Sequence, residues 1–330
     1  MGLDVLEPGL YSLLVGRPRP GSRHLGMPVG GPADSVACAL GNALLGNPAD
    51  ALALEITLLG PTLRATAPLA GVVFGAPFEL SGSRDVGRSF NLDAGDILKI
   101  GGTATGCRAY LCVSGGFSGP EILASDSALE PIRRGDPLEC RVSNLKPRWG
   151  MNPFDCAPGV PPDLGSPGVP PVGPVERVVT SDFQADRRDA GPTQIRVLPG
   201  PQRDWFPDSQ LFEQTYTVAA ASNRMGLRLL GVPLLRPPRE LSSEPVAPGA
   251  VQITNDGLPV ILGVDGQTIG GYPKIAHVIR ADFDGLGQLR PGSSMRFVET
   301  SPAEAEAAFQ SKRAALKRTL ALWRTAIEFT

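Results

Sequence analysis

Glycine and proline interrupt this chain so often, 40 and 34 times in 330 residues, that its regular elements must be short and its turns many. Inside a helix, proline removes an amide donor and clashes with the preceding turn, and glycine loses more backbone entropy than any other residue. Short strands joined by tight turns use both residues well, so the punctuation favours a mainly β fold. The apolar runs agree. Leu54–Leu59, Val72–Gly75, Ile97–Ile100 and Arg108–Val113 are each of strand length and each stops within two positions of a glycine. Gln194–Leu198, Tyr216–Ala219, His277–Ala281 and Ser294–Val298 read as further strands. A Gly-Asp step ahead of a strand recurs at Gly95-Asp96 and Gly135-Asp136, and as Gly292-Ser293 near the other end, which suggests two related β-barrels.

Two helices interrupt the β pattern. Asp34 is a good N-cap for a mid-chain helix carrying Val36, Leu40 and Leu44 on one face, and Gly46-Asn47-Pro48 ends it. Ser301-Pro302-Ala303-Glu304 is a capping box that opens a C-terminal helix with an apolar stripe of Phe309, Leu316, Leu320, Trp323 and Ile327. Lys312, Arg313, Lys317 and Arg318 read as its solvated face. Residues 145–190 are proline-rich with almost no periodic apolar pattern, the signature of an extended linker. The division expected is a first β domain over 1–144, the linker over 145–190, a second β domain over 191–300 and the helix over 301–330.

Composition narrows the function. Lys and Arg number 31 against 33 Asp and Glu, with no basic block, which argues against nucleic acid or an anionic membrane as partner. No apolar stretch approaches the ~20 residues that a membrane span needs, and the N-terminus lacks the pattern of a secretory signal. Cys38, Cys107, Cys112, Cys140 and Cys156 are scattered, form no C-x-x-C and sit mostly among apolar neighbours. They read as small buried hydrophobes in a reduced, cytoplasmic setting. With only His24 and His277, far apart, no metal site is expected.

The chemistry is concentrated in Ser242–Ile275. Ala250–Thr254 and Leu258–Val264 read as a hairpin about Asn255-Asp256-Gly257. The second strand runs into Asp265-Gly266-Gln267-Thr268-Ile269-Gly270-Gly271-Tyr272-Pro273-Lys274, which carries a carboxylate, an amide, a hydroxyl, a phenol and an amine. Polar loops leaving rigid strands are where sites are built. No P-loop, G-x-S-x-G elbow or G-x-G-x-x-G turn occurs, and neither does a Met-Lys-Met biotin-carrying segment.

The order Ser243-Glu244-x-Val246-x-Pro248-Gly249-Ala250-x-Gln252, then Asp256-Gly257-x-Pro259, then Asp265-x-Gln267-Thr268-x-Gly270-Gly271-Tyr272-Pro273-Lys274-Ile275 resembles one family. It comprises biotin-dependent carboxyltransferase-like proteins: the C subunit of 5-oxoprolinase, the KipA regulators and the carboxyltransferase region of urea carboxylase, also called allophanate hydrolase subunit 2. Pro199-Gly200-Pro201-Gln202, Ser222-Asn223-Arg224-Met225-Gly226, Glu55-Ile56-Thr57, and Gly16, Arg17, Gly21, His24, Gly26, Pro28, Gly31 and Asp34 extend the likeness. Departures occur too. Leu13-Leu14 stand where the family has Gln-Asp, Gly30 where it has Ser, Asp126 where it has Arg, and two extra residues lie between Arg17 and Gly21.

The resemblance implies two cyclophilin-like barrels with a pocket where they meet. It implies one chain of an ATP-dependent 5-oxoprolinase-type hydrolase that turns 5-oxoproline into glutamate, working with a KipI-like protein (the enzyme's B subunit) beside its A subunit. The alternatives are a carboxyltransferase component for urea or a related amide, with biotin supplied by another chain, and a non-catalytic KipA-like regulator that binds a KipI-like kinase inhibitor. Both reactions put negative charge on an oxygen beside nitrogen, so both need fixed N–H donors and a cation aimed at it. Gln267, Thr268, Lys274 and the backbone at Gly270 and Gly271 suit that task, and Asp265 or Glu244 suits proton transfer or orientation of an amine. Arg224 suits a substrate carboxylate, with Gln252, Tyr272, His24 and Asp34 as further binding candidates. Each has a plain structural reading beside this one: Glu244 capping a turn or pairing with Arg224, Asp265 bracing the Gly-Gly loop, Lys274 at the surface, and Tyr272 and His24 in packing.

Overall fold

The computed structural model describes residues 2–141, 191–207, 210–236 and 238–328. Residues 145–190, with Cys156, and the side chain of Ile327 lie outside the described residues. In the first half the elements are β1 (Gly2–Glu7), β2 (Tyr11–Val15), α1 (Ser35–Leu44), β3 (Ala53–Thr57), β4 (Thr62–Ala65), β5 (Leu69–Gly75), β6 (Phe78–Leu80), β7 (Ser89–Leu92), β8 (Ile97–Thr103), β9 (Arg108–Val113) and β10 (Pro137–Glu139). The second half carries β11 (Thr193–Pro199), β12 (Tyr216–Val218), β13 (Gly226–Leu230), β14 (Glu244–Pro245), β15 (Ala250–Ile253), β16 (Pro259–Leu262), β17 (Ile269–Gly270), β18 (Lys274–Val278), α2 (Phe283–Gln288), β19 (Ser294–Glu299) and α3 (Pro302–Glu328). The fold is mainly β, as expected.

The first half is two five-stranded sheets, ordered β10-β1-β4-β8-β6 and β2-β3-β9-β5-β7. Leu3, Val5, Leu63 and Leu98 of one sheet meet Leu54, Ile56, Val73 and Leu111 of the other in a buried core. Because side chains alternate along a strand, Ala53 and Glu55 of β3 and Tyr110 and Cys112 of β9 face the opposite way, under α1. Leu316, Leu320 and Trp323 of α3 pack on that same outer face. A sheet covered on both sides reads as a continuous apolar run, which is why all six residues of β9 are buried.

The second half closes into a barrel, β11-β18-β15-β16-β13-β12-β19, with β19 returning parallel to β11. Ile195, Val197, Tyr216, Val251, Ile261, Ile275 and Phe297 fill it. The hairpin expected about Asn255-Asp256-Gly257 is β15–β16, with Val251 opposite Ile261 and Gly257 at φ +78°. The recurrent Gly-Asp step is one turn used three times. Gly95, Gly135 and Gly292 each have φ near +90° and each donates to a strand carbonyl, of Ala65, Val5 and Val218 respectively. Those strand residues donate back to the carbonyls of Asp96, Asp136 and Ser293.

Two expectations need correction. The strand placed at His277–Ala281 begins earlier, at Lys274, and ends at Val278, after which Arg280–Asp282 form a 3-10 turn leading into α2. Lys312 is not a solvated charge. It lies 3.1 Å from Asp284 Oδ2 and donates to Ala281 O at 2.7 Å, fastening α3 to the turn ahead of α2. The capping box does form, with Ser301 N donating to Glu304 Oε2 at 2.9 Å and Glu304 N to Ser301 Oγ at 3.2 Å. Among the described residues, no helix is long and apolar enough to cross a membrane.

Candidate functional site

Lys274 opens β18, and its register partner on β15 is Gln252. The chain arrives there through β17, which pairs with β14 so that Glu244 lies opposite Gly270. This two-residue ribbon lays Glu244 against Lys274, whose Nζ donates to Glu244 Oε1. Gln202, in the turn after β11, ties both together. Its Oε1 accepts from Lys274 N at 2.9 Å, its Nε2 donates to Glu244 Oε1 at 3.1 Å, and its own amide donates to Lys274 O at 3.1 Å. The hydrogen bond from Lys274 holds the Glu244 carboxyl below its ordinary range. Lys274 and Gln202 are each 8% exposed, so the lysine backbone is fixed by a buried amide while its ammonium meets the half-exposed Glu244.

Gln252 is 2% exposed, and its Nε2 has no hydrogen-bond partner among the described residues. A Cβ on Gly270 would stand 2.8 Å from that atom and 2.9 Å from Gln267 Nε2, so two amide groups converge on the bare face of Gly270. An unpaired buried donor costs ~1–3 kcal/mol, and such a group calls for a reason. An oxygen atom held between Gln252 and Lys274 is a chemically sufficient one.

The other candidates are placed differently. Gln267 is exposed and its carbonyl accepts from Arg23 Nη2 at 3.0 Å; Thr268 is half-buried and its carbonyl accepts from Val246 N at 3.0 Å. Gly271 is half-buried, Tyr272 is 37% exposed, and His24 is exposed on the 3-10 turn Pro20–Leu25.

Asp265 and Arg224 belong to a second cluster, in the seam between the halves. Both oxygens of Asp265 engage Arg224, at 2.6 Å to Nε and 3.0 Å to Nη2. Arg224 also donates to Glu55 Oε1 at 2.5 Å and to Gly31 O at 2.8 Å. Tyr110 Oη and Ala33 N each donate to Glu55 Oε2 at 2.8 Å, and Arg108 Nε stands 3.3 Å from Oε1. Burial alone pushes Glu55 upward, but Arg224 and Arg108 outweigh it and hold the carboxyl below its usual value. Burial likewise disfavours charge on Arg224, yet Glu55 and Asp265 raise it above an ordinary guanidinium.

This arrangement braces the halves. Both Asp265 oxygens are taken up by Arg224, and Arg224 spends four of its N–H groups on Asp265, Glu55 and Gly31, so both residues serve the seam. Glu244 pairs with Lys274 rather than with Arg224. Asp34 caps α1 through Ala37 N at 2.9 Å and accepts from Gln288 Nε2 at 2.7 Å, across the seam. A shallow cleft open to solvent lies beside this cluster, lined by Arg108, Arg224, Gly249, Phe283 and Leu286 among others.

Two of the departures from the family pattern have local explanations. Leu13 is 1% exposed in the core beneath α1, and Leu14 packs against the core between the sheets. Gly30 has φ +66°, a conformation that favours glycine over serine, and its amide donates to Val264 O across the seam at 3.0 Å. Sequence reasoning passes over Gln202 and Glu55 as site residues, although both lie in segments that carry the family likeness. It gives no role to Arg19 and Arg23, which have no motif signal.

The model for "Carboxyltransferase domain, subdomain A and B" matches residues 25–299. The C subunit of 5-oxoprolinase from Haemophilus influenzae is 31% identical over 317 residues, which cover 92% of this chain and 93% of that protein. Among solved structures, TTHA0988 superposes with a TM-score of 0.72 at 31% identity over 90% of this chain. The urea amidolyase of K. lactis superposes with a TM-score of 0.77 at 27% identity over 96%. This chain spans 55% of the TTHA0988 chain and 20% of the urea amidolyase chain.

Proposed function

Since the chain belongs to the carboxyltransferase-domain family, subdomains A and B, we propose that it is the C subunit of an ATP-dependent 5-oxoprolinase-type hydrolase. It acts in the cytoplasm with a KipI-like protein as the B subunit, beside an A subunit. The observation that carries the reading is the unpaired Nε2 of Gln252 on the strand beside Lys274, whose buried side chain pairs with the half-exposed Glu244. A lactam is an unreactive amide, and its opening places negative charge on the carbonyl oxygen. An N–H from Gln252 and the Lys274 ammonium, aimed at that oxygen before the reaction starts, stabilise the charge without reorganisation. Glu244 accepts from the ammonium and Gln202 fixes the lysine backbone, so the ammonium keeps its direction. The full-length likeness to the Haemophilus influenzae protein supports this reading. ATP enters through the complex, and this chain's part is to hold the lactam.

The likeness to the urea amidolyase of K. lactis over 96% of the chain favours a second reading, carboxyl transfer to urea or a related amide from biotin carried by another chain. The same donors serve either oxygen. Reconstitution with the two cognate partner chains decides: ATP-dependent release of glutamate from 5-oxoproline is expected. Transfer of carboxylate to urea, with no glutamate released, would overturn the first reading in favour of the second.

A further inference from the structure

Buried charges in proteins are paired, because an isolated one loses its hydration without return. In the seam, Arg108 and Arg224 obey this through Glu55 and Asp265. Arg19 and Arg23 do not. Neither has a carboxylate within ion-pair distance among the described residues. Arg19 is 2% exposed, its Nη2 donates to Ser127 O, and its Nε is buried without a partner. Arg23 is half-buried: it gives its Nη2 to the carbonyls of Val246 and Gln267, while its Nη1 is buried with no partner among the described residues. Burial lowers the affinity of both groups for their proton, and for Arg19 the more distant Asp265 and Asp126 offset part of that. Those two carboxylates are already engaged, by Arg224 and by Arg17 N.

The position of Arg23 is informative. Val246 follows β14 and Gln267 precedes β17, the two strands that hold Glu244 and Gly270 at the Lys274 site. A cation from the first half therefore reaches across to the rim of the second half's site with an N–H unspent. Resting on the lactam-opening reading above, we propose that Arg23, backed by the positive charge of Arg19, is the group that recognises the α-carboxylate of the substrate. Arg224, the obvious candidate by sequence, is committed to Glu55, Asp265 and Gly31. An acid-bearing lactam thus presents its carbonyl oxygen to Gln252 and Lys274 and its carboxylate to Arg23. Urea, which bears no carboxylate, leaves Arg23 unused.

The test is substrate discrimination in the reconstituted complex, comparing L-5-oxoproline with its neutral carboxamide. Arg23→Met should raise KM for the acid by about tenfold or more, with kcat within about threefold and the carboxamide little affected. Arg23→Lys, which keeps the charge but loses the fork, should recover part of the loss. Arg19→Met should move KM in the same direction, and it reads the proposal if Arg23→Met fails to assemble. Equal shifts for acid and carboxamide, or an unchanged preference for the acid, would overturn the assignment. If the wild-type complex opens neither lactam, the substrate reading fails separately, and calorimetry then decides the site. Binding of L-5-oxoproline or acetate that is lost in Arg23→Met supports it; no carboxylate binding to wild type removes it.

Discussion

Arg224 Nη1 stands 2.5 Å from Glu55 Oε1, so a guanidinium entering β13 of the barrel is buried against a carboxylate on β3 of the sheet opposite. Both side chains are under 5% exposed. Removing one partner of such a pair leaves the other charged in a poorly hydrated seam, at a cost of ~3–5 kcal/mol. Glu55→Ala should therefore unfold at markedly lower denaturant concentration than wild type, whereas substitution of exposed Glu121 should change little. Equal midpoints for Glu55→Ala and wild type would show that the seam does not depend on this pair.

The same seam sets a pH dependence. Burial, with Asp284 nearby, raises Asp34 to about 7. A carboxyl whose folded value lies above its unfolded one binds more protons when folded, so its contribution is full in acid and is lost as pH rises through about 7. Glu55 is shifted the other way, and its contribution is lost as pH falls through its depressed value. Thermal midpoints should thus decline as pH climbs from about 4.5 to about 7 and level off above it, with a stability slope on the order of 1.4 kcal/mol per pH step of one inside that window. Asp34→Asn, which keeps the Ala37 cap, should flatten that decline; an undiminished slope in the variant would assign it to another group.

Much of this architecture was legible from residue order. Asp34 as a cap, the Ser301–Glu304 box and the Asn255-Asp256-Gly257 turn are local interactions, written within three or four residues. So is the recurring Gly-Asp turn, because positive φ demands glycine. The site was half legible. The motif gave Lys274, Glu244 and Gln252, but pairing choices between distant segments lie outside any local signal. Nothing in the order of residues says that Glu244 takes Lys274 and leaves Arg224 to Glu55, 169 positions away. Arg23 is the extreme case, meaningful only because its partners Val246 and Gln267 lie more than 200 positions along the chain.

Gln202 positions Lys274 without belonging to the reacting set. It holds the Lys274 backbone by two hydrogen bonds and Glu244 by a third. Gln202→Leu should lower kcat about tenfold or more while leaving KM for the lactam within about twofold, since ammonium direction matters most when charge develops. A change in KM alone would mean that Gln202 shapes binding instead.

Gly270→Ala places a methyl group 2.8 Å from Gln252 Nε2 and 2.9 Å from Gln267 Nε2, distances that no Cβ tolerates. Both atoms end flexible side chains, so the fold should survive with a loss of under about 1 kcal/mol while the amides swing away and turnover falls steeply. Undiminished turnover in this variant would show that neither amide faces the reacting oxygen.

Gln252→Met makes the sharper comparison. Gln252 is buried with an unpaired N–H, a donor that weakens the free protein by ~1–3 kcal/mol and earns its place only if an oxygen arrives. Methionine matches its volume and removes the polar atoms, so the variant should be as stable as wild type or more so by thermal melting. Loss of one oxyanion donor should lower kcat by about 10²–10³. Stability and activity therefore move in opposite directions at this one residue. A Gln252→Met protein that is less stable yet fully active would place the amide among ordinary structural groups and remove the observation on which the catalytic reading stands.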